Sequence, residues 1–361
     1  MRLALAQIDT TVGDFAGNAD KIASAHARAE TARADLLLVP ELAIPGYPPR
    51  DLLDRPAFQA AAEKTLRSLT KRTKKTAILL GTFVPNERKT GKPFYNVAAL
   101  LAGGRVRALA RKCLLPTYDV FDEGRHFEPG VAPLLVPFAG ERLGITICED
   151  LWNDKDFWRA RRLYREDPGD ALVRRGATLL LNISASPFCE GKPRLRRLML
   201  ARLAKDSGVP VAYLNLVGGN DELVFDGGSI VVDGSGRVKA RAALFEEDFL
   251  VVDVAKDGRA KRRVEAVEGS DPEDVADDAA DDPLESLRRA LVLGIRDYAQ
   301  KCGFSAAVIG LSGGIDSALV AALACEALGA ENVTGLAMPT RYSSEGSLAD
   351  ARALARNLGT R

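Results

Sequence analysis

Residues 306–318, AAVIGLSGGIDSA, constrain this chain more than any other stretch. Small and apolar residues run into Leu311 as a buried strand would. Ser312, Gly313, Gly314, Ile315, Asp316 and Ser317 follow, and an apolar helical pattern opens at Ala318. Strand, glycine-rich turn and helix N-terminus together predict an anion cradle. The backbone approaches the ligand there, and N–H groups and the helix dipole face a phosphate. No Gly-Lys-Ser/Thr closes the turn, so the pattern is not the Walker type. An ordinary glycine-rich turn explains it poorly, because packing alone does not call for two glycines flanked by serines and an aspartate.

What surrounds the loop sets the organisation. A chain of 361 residues predicts roughly two domains. From residue 1 to about 262 strand-like runs (RLALAQI, DLLLVPE, TAILLGTFV, NVAALLAGG, RVRALARK, RLGITICED, TLLLNISAS, VPVAYLNLVGG, GGSIVVDGSG) alternate with helical ones (NADKIASAHARAETAR, PAFQAAAEKTLRSLTKRT, KPRLRRLMLARLAKDSG). This mix predicts a large layered α/β domain with helices covering the sheets. Residues 264–283 are acidic and almost free of large apolar residues, and read as a solvated linker. Beyond it, 284–361 holds an amphipathic helix, the phosphate-loop unit, a second strand in NVTGLAMP and a capped helix in YSSEGSLADARALARNLG. One βαβ and a helix are too little for an open parallel sheet buried on both faces, so this second domain is expected to be incomplete.

Composition narrows the function. A net charge of +1 gives no reason to expect nucleic acid or an anionic membrane as partner. No apolar run is long enough to span a bilayer, and Asp9 and Asp14 interrupt the N-terminus, so a first strand is read there, not a signal peptide. The five cysteines, 113, 148, 189, 302 and 325, form no CxxC pair and are odd in number, which points to a reducing cytoplasmic setting. The only histidines, His26 on a helical pattern and His126 in a charged turn, leave no His-rich zinc site.

Three early strands end on reactive side chains. ADLLLVP ends in Glu41, RVRALAR in Lys112 and ERLGITI in Cys148. In layered α/β folds, sites collect at the C-terminal ends of strands. Taken singly, the cysteine is explained by packing and the other two by a solvated edge. Together, a carboxylate, an ammonium and a thiol at three such ends make one candidate site.

Those residues also carry a resemblance. PELAIPGYPPRDLL around Glu41, RKCLLPTYDVFDEGRHFEPG around Lys112 and GITICEDLW around Cys148 resemble the nitrilase (carbon-nitrogen hydrolase) family. In particular they resemble the glutaminase domains of glutamine-dependent NAD+ synthetases, and NISASPF and LNLVGGNDELVFDGGS extend the likeness. The SGGIDS loop and MPTRYSSEGS resemble the synthetase part, an N-type ATP pyrophosphatase. The resemblance covers essentially the whole chain. It implies a nitrilase-like αββα sandwich over 1–263, the acidic linker 264–283, and a partial, Rossmann-like parallel α/β domain over 284–361. It assigns Glu41 as general base, Lys112 as oxyanion stabiliser and Cys148 as nucleophile. Glutamine contacts fall on Tyr118, Glu149, Ser186 and Lys192. Lys192 stands where related enzymes can carry Arg, and Tyr47 is a pocket-lining or a turn residue. Cys113 and Cys189 read as packing residues.

In the second part, Ser312, Gly313, Gly314, Asp316 and Ser317 are expected to hold the phosphates of ATP, with Asp316 also a Mg²⁺ ligand. The implied substrates are glutamine, ATP and deamido-NAD+, the products NAD+, AMP and pyrophosphate, and the assembly a homo-oligomer. The family's further acidic metal ligand and dinucleotide-binding residues have no counterpart before Arg361, so the expectation for this chain is glutaminase activity without NAD+ synthesis. Rival expectations are a stand-alone amidase with a vestigial C-terminal segment, another ATP pyrophosphatase amidotransferase, and a non-enzymatic binding module. Retention of Glu41, Lys112 and Cys148 together argues against the last.

Overall fold

Buried apolar strands set the layers. Five of the six residues of β1 (Arg2–Gln7) are buried, as are all of β2 (Leu36–Leu38), and both belong inside a sheet covered on two sides. The computed structural model describes residues 1–154, 157–158, 162–256, 262–268, 282–341 and 344–361. The chain divides into two compact units, Met1–Val217 with Phe225–Asp281, and Gly218–Val224 with Asp282–Arg361.

The first unit is built on two sheets. One adds β3 (Ala77–Pro85), β4 (Phe94–Ala102) and β5 (Arg105–Arg111). The other starts with β6 (Leu134–Phe138), β7 (Glu141–Ile147), β8 (Leu179–Ser184) and β9 (Val211–Asn215). A hairpin, β10 (Val217–Asn220) and β11 (Leu223–Asp226), interrupts before β12 (Ile230–Val232) and β13 (Val238–Arg241) extend the second sheet. β14 (Asp248–Lys256) and β15 (Arg262–Glu268) return to the first. Among the described residues the orders are β15-β14-β1-β2-β3-β4-β5 and β13-β12-β9-β8-β7-β6. Leu3, Leu5, Leu36, Leu38, Leu79 and Leu100 from the first sheet meet Leu143, Ile145, Ile147, Leu181, Ile183 and Leu214 from the second in one dry core.

Helices cover the outer faces. In α1 (Phe15–Thr31), Ile22, Ala25, His26 and Ala29 share one buried stripe, and Asp14 caps the start by accepting from Gly17 N. It packs beside α2 (Pro56–Thr70) on the first sheet. On the other side lie α3 (Pro168–Arg174) and α4 (Lys192–Ser207), whose Leu172, Met199, Leu200, Leu203 and Ala204 pack on Leu180, Val211, Tyr213 and Val232. The result is the expected αββα sandwich. His26 is a satisfied interior histidine, its Nε2 within 2.9 Å of Thr76 O.

Some sequence expectations change. β15 pairs with β14 through Glu268↔Val251, so the sheet runs five residues into the stretch read as linker. α5 (Pro283–Lys301) begins at that stretch's last residue; residues 269–281 lie outside the described part. Cys189 is exposed, so it is not a packing residue. β6, β11 and β13 are additions to the sequence reading, because four or five residues carry too little periodicity to mark a strand.

The second unit holds the parallel pair β16 (Ala307–Gly310) and β17 (Val333–Leu336), with α6 (Ile315–Leu328) and α7 (Glu345–Leu358). The expected bare apolar surface is present: Val308, Leu319, Val320 and Met338 are each more than half exposed. The tip of the β10–β11 hairpin groups with α5. Gly219 N donates to the buried carboxylate of Asp297 at 2.7 Å, and Lys301 Nζ donates to Gly219 O at 2.8 Å. Among the described residues no helix is long and apolar enough to cross a membrane.

One close approach in the first unit sets the position of Glu41. Gly81 of β3 lies flat against the turn after β2, with Gly81 N donating to Pro40 O at 3.0 Å. A Cβ there would collide with the backbone of Glu41 and Leu42. Gly81→Ala is therefore expected to cost about 1–3 kcal/mol by overpacking and to displace Glu41. A fall in melting temperature together with slower alkylation of Cys148 would register both effects.

Candidate active site

Glu41, Lys112 and Cys148, each buried just past the ends of β2, β5 and β7, lie in one group. Lys112, 1% exposed, follows the last residue of β5 and donates to Glu41 Oε1 at 2.8 Å. Its second partner is Glu123 Oε1 at 2.7 Å. Burial opposes the charge on this lysine, but Glu123, Glu41 and Cys148 outweigh it and hold the ammonium well above its ordinary range. Glu41 is fully buried, and its other bonds come from Asn96 Nδ2 at 2.7 Å and, on Oε2, from Ala185 N at 2.9 Å. Both of its oxygens are fixed, so the carboxylate has one orientation.

Cys148 starts a short 3₁₀ turn, Cys148–Leu151, at the end of β7, with φ 43°. A non-glycine residue in that region is strained and persists only where its surroundings hold it. Asp150 holds it here. Its Oδ2 accepts from Ile147 N at 2.9 Å, and its Oδ1 accepts from Cys113 N and Leu114 N, both at 2.9 Å. One carboxylate thus ties the cysteine turn to the segment after Lys112. Burial pushes the Asp150 carboxyl up to about 7 even against those three donors.

Burial, then the charge of Glu41, pushes the Cys148 thiol up to about 12, while Lys112 and the Ser184 hydroxyl work the other way. The resting sulfur is protonated. Glu123 is pushed up to about 7, by burial against the pull of Lys112. Tyr47 is a neighbour of this group: its hydroxyl donates to Glu123 Oε1 at 2.9 Å.

The four residues expected to contact glutamine lie around this centre in different ways. Tyr118 and Glu149 bond to each other, the hydroxyl donating to the two carboxylate oxygens at 2.9 and 3.0 Å. Burial raises the Glu149 carboxyl, opposed by Lys112, Tyr118, Tyr164 and Lys192. Ser186 is buried in the turn after β8. Lys192 opens α4 with Nζ 5.4 Å from the Trp152 ring centroid; burial and the neighbouring Arg196 lower its pKa. Sequence reasoning missed Glu123, Asn96, Asp150 and Asn215. Glu123 and Asp150 lie inside stretches already singled out, FDEGRHF and CEDLW, where a second acid beside a candidate site was the available signal.

In the second unit, Ser312, Gly313, Gly314, Asp316 and Ser317 form the turn from β16 into α6. Ser312 N donates to Ser317 Oγ at 3.2 Å, Gly314 N to Ser312 Oγ at 3.2 Å, and Ser317 Oγ to Gly314 O at 2.9 Å. Gly313 has φ 81°, and a Cβ there would strike the backbone of Ser347. Asp316 is exposed in the first turn of α6.

Comparisons with known proteins fall along the same division. The carbon-nitrogen hydrolase profile matches residues 2–263 and the NAD synthase profile residues 287–361. Glutamine-dependent NAD(+) synthetase from Synechocystis sp. is 45% identical over 363 residues, covering 99% of this chain and 63% of the relative. The enzyme of that name from Thermotoga maritima is 42% identical over 382 residues, covering 99% and 64%. The chain thus spans just under two thirds of the length of these relatives. Glutamine-dependent NAD+ synthetase from Acinetobacter baumannii, solved with ADP, superposes with TM-score 0.87 at 33% identity, over 99% of this chain and 63% of that one. An amidase from Nesterenkonia sp. AN1, solved with acrylamide added at its active-site cysteine, superposes with TM-score 0.60 at 29% identity, over 71% and 94%.

The electrostatics generate a stability prediction. Lys112→Met leaves Glu41 and Glu123 facing each other in a dry interior and is expected to cost about 3–5 kcal/mol at neutral pH. Glu123 already sits near 7 when folded, against an ordinary 4.5. A carboxyl raised on folding penalises the folded state as pH rises through that window, and the penalty vanishes below it. The variant should therefore regain part of its deficit at pH 5, as denaturant melts at the two pH values would show.

Proposed function

This chain belongs to the carbon-nitrogen hydrolase family, and we propose that its first unit hydrolyses the side-chain amide of glutamine as the ammonia-producing part of a glutamine-dependent NAD+ synthetase. The observation that carries the reading is the buried Lys112 ammonium bonded to Glu41 at 2.8 Å, next to a protonated thiol on a strained strand-end turn. That set is equipped for acyl transfer from an uncharged amide, with no metal called for.

Each residue takes a separate part of the reaction. Cys148 Sγ attacks the amide carbon while its proton passes to Glu41, which spares the buried site a free thiolate. The carbonyl oxygen takes the negative charge, and Lys112, with the N–H of Glu149, stabilises it. Glu41 returns the proton to the nitrogen, the C–N bond breaks and ammonia leaves, so a thioester joins the acyl carbon to Sγ. Water then attacks that carbon, Glu41 takes its proton, and the C–S bond breaks to give glutamate and the thiol. Glu149 is suited to the substrate's α-ammonium, Lys192 to its α-carboxylate, and Tyr118 and Ser186 to its polar edges.

The second unit, on the same reading, takes ATP through Ser312, Gly313, Gly314, Asp316 and Ser317. Gly313 carries no side chain, and its φ of 81° with the backbone of Ser347 against it leaves no room for one; the bare backbone of the turn suits a phosphate. Asp316 with phosphate oxygens forms a donor set for Mg²⁺, which takes one or two carboxylates and keeps hard oxygen ligands. Mg²⁺ would supply charge neutralisation at the phosphates. The dinucleotide substrate is deamido-NAD+, adenylated and then amidated by the ammonia released.

A second reading, an amidase acting alone, is favoured by the Nesterenkonia amidase, which this chain matches over 94% of that protein's length. Substrate choice separates the two: glutamine should be preferred to simple aliphatic amides. Cys148→Ala is expected to abolish glutamate release from glutamine with the fold intact, and Glu41→Gln to lower it by about a hundredfold or more. Turnover retained by Cys148→Ala would remove the nucleophile from the scheme.

A further inference from the structure

Two consecutive backbone amides after β8 point to different partners. Ala185 N donates to Glu41 Oε2 at 2.9 Å, and Ser186 N donates to Asn215 Oδ1 at 2.9 Å. Asn215, the last residue of β9, is fully buried. Its Nδ2 lies within reach of three acceptors, Asp226 Oδ1 at 3.0 Å, Gly227 O at 3.1 Å and Ser186 O at 3.2 Å. Ser186 is therefore gripped at both its N–H and its C=O by one side chain. Only an amide supplies an acceptor and two donors at a single position.

Behind Asn215 stands a buried ion pair. Arg196 reaches Asp226 with two prongs, at 2.9 and 3.1 Å, and Gly227 O with a third bond at 3.2 Å. Both side chains are nearly inaccessible. A buried pair of this kind adds little stability over a well-packed apolar substitute, because desolvation offsets the attraction. Its effect is on direction: with Arg196 holding both oxygens, Asp226 can accept from Asn215 in one orientation only, and Asn215 can then face Ser186 in one orientation only. Arg196 is also neutralised by this arrangement, which directs its charge to Asp226 and away from a substrate carboxylate.

We infer that Asn215, backed by Asp226 and Arg196, is a positioning residue that fixes the Ala185–Ser186 turn, and through it both the carboxylate of Glu41 and one wall of the amide pocket. The inference rests on the amidase reading of the site. It differs from a packing role in what it moves: a slack turn misplaces the base and the substrate together, so kcat and KM change in one variant.

The test uses the whole chain, with Asn215→Ala and Arg196→Lys. The lysine keeps the charge but loses the fork that fixes Asp226. Three measurements are made: thermal melting, kcat and KM for glutamine, and the rate at which iodoacetamide alkylates Cys148, followed on its own peptide. Alkylation needs proton removal from the thiol but no glutamine. Asn215→Ala is expected to lower kcat about tenfold or more and raise KM, since small misplacement of a reacting group costs orders of magnitude. Alkylation should slow in proportion. Arg196→Lys should lower kcat and the alkylation rate and raise KM, each by about threefold. Folded variants that keep kcat and alkylation at the parent level, or a change confined to KM, would overturn the inference. Should Asn215→Ala fail to fold, Arg196→Lys decides alone by the same criteria. Should the parent chain not hydrolyse glutamine, the substrate reading fails, and the alkylation rates still decide the positioning role.

Discussion

The candidate site of the first unit is arranged around the buried ammonium of Lys112. Lys112 lies between Glu41 and Glu123 with contacts of 2.8 and 2.7 Å, in surroundings that offer it almost no water. Removing three charged groups from water is expensive, and only close contacts with further hydrogen bonds offset it. Asn96 and Ala185 N supply those bonds to Glu41, and Tyr47 supplies one to Glu123. Burial first and the charge of Glu41 second, with Lys112 opposing, set the state of the sulfur. A thiol in a dry site beside a carboxylate stays protonated. The Cys148 nucleophile of the proposed reaction must therefore lose its proton as it attacks, to a base already in place. A cysteine paired with a histidine works from a preformed thiolate; this site is built for the opposite order.

Such a group needs a rigid frame, and the two-sheet core provides it. Glu41, Lys112, Cys148 and Ala185 stand just past the ends of β2, β5, β7 and β8, four strands divided between the two sheets. Sheets packed through leucines and isoleucines with no exposure cannot slide without opening cavities. The distance from sulfur to base is thus a property of the packed core. Two local devices refine it: Gly81 lets the Glu41 turn lie on β3, and Asp150 ties the cysteine turn to the chain after Lys112.

Much of this was legible because the chemistry sits where strand patterns end. Glu41, Lys112 and Cys148 each close an apolar run, and the run predicts its own end. Glu123 and Asn215 have no such marker. Glu123 faces Lys112 only because the loop after β5 folds back, and Asn215 differs from a solvated strand end only once Ser186 and Asp226 are beside it. The linker boundary failed for a related reason. Residues 264–268 read as solvated, yet they belong to β15, the outermost strand of the first sheet, where charge is tolerated because it discourages further pairing.

The SGGIDS loop shows how a short motif can depend on distant sequence. Its own hydroxyls shape it, Ser312 and Ser317 bonding to each other and to the turn's backbone. That would hold in any loop of this sequence. A second constraint comes from elsewhere: the backbone at Ser347, in the first turn of α7, backs onto Gly313 so closely that no side chain fits. α7 is placed there by its cap, Ser344 Oγ accepting from Ser347 N at 3.1 Å. The SGGIDS loop and residues 344–347, more than twenty residues apart, are therefore packed against each other. A glycine at 313 answers that close contact, and so the two segments have to be read together.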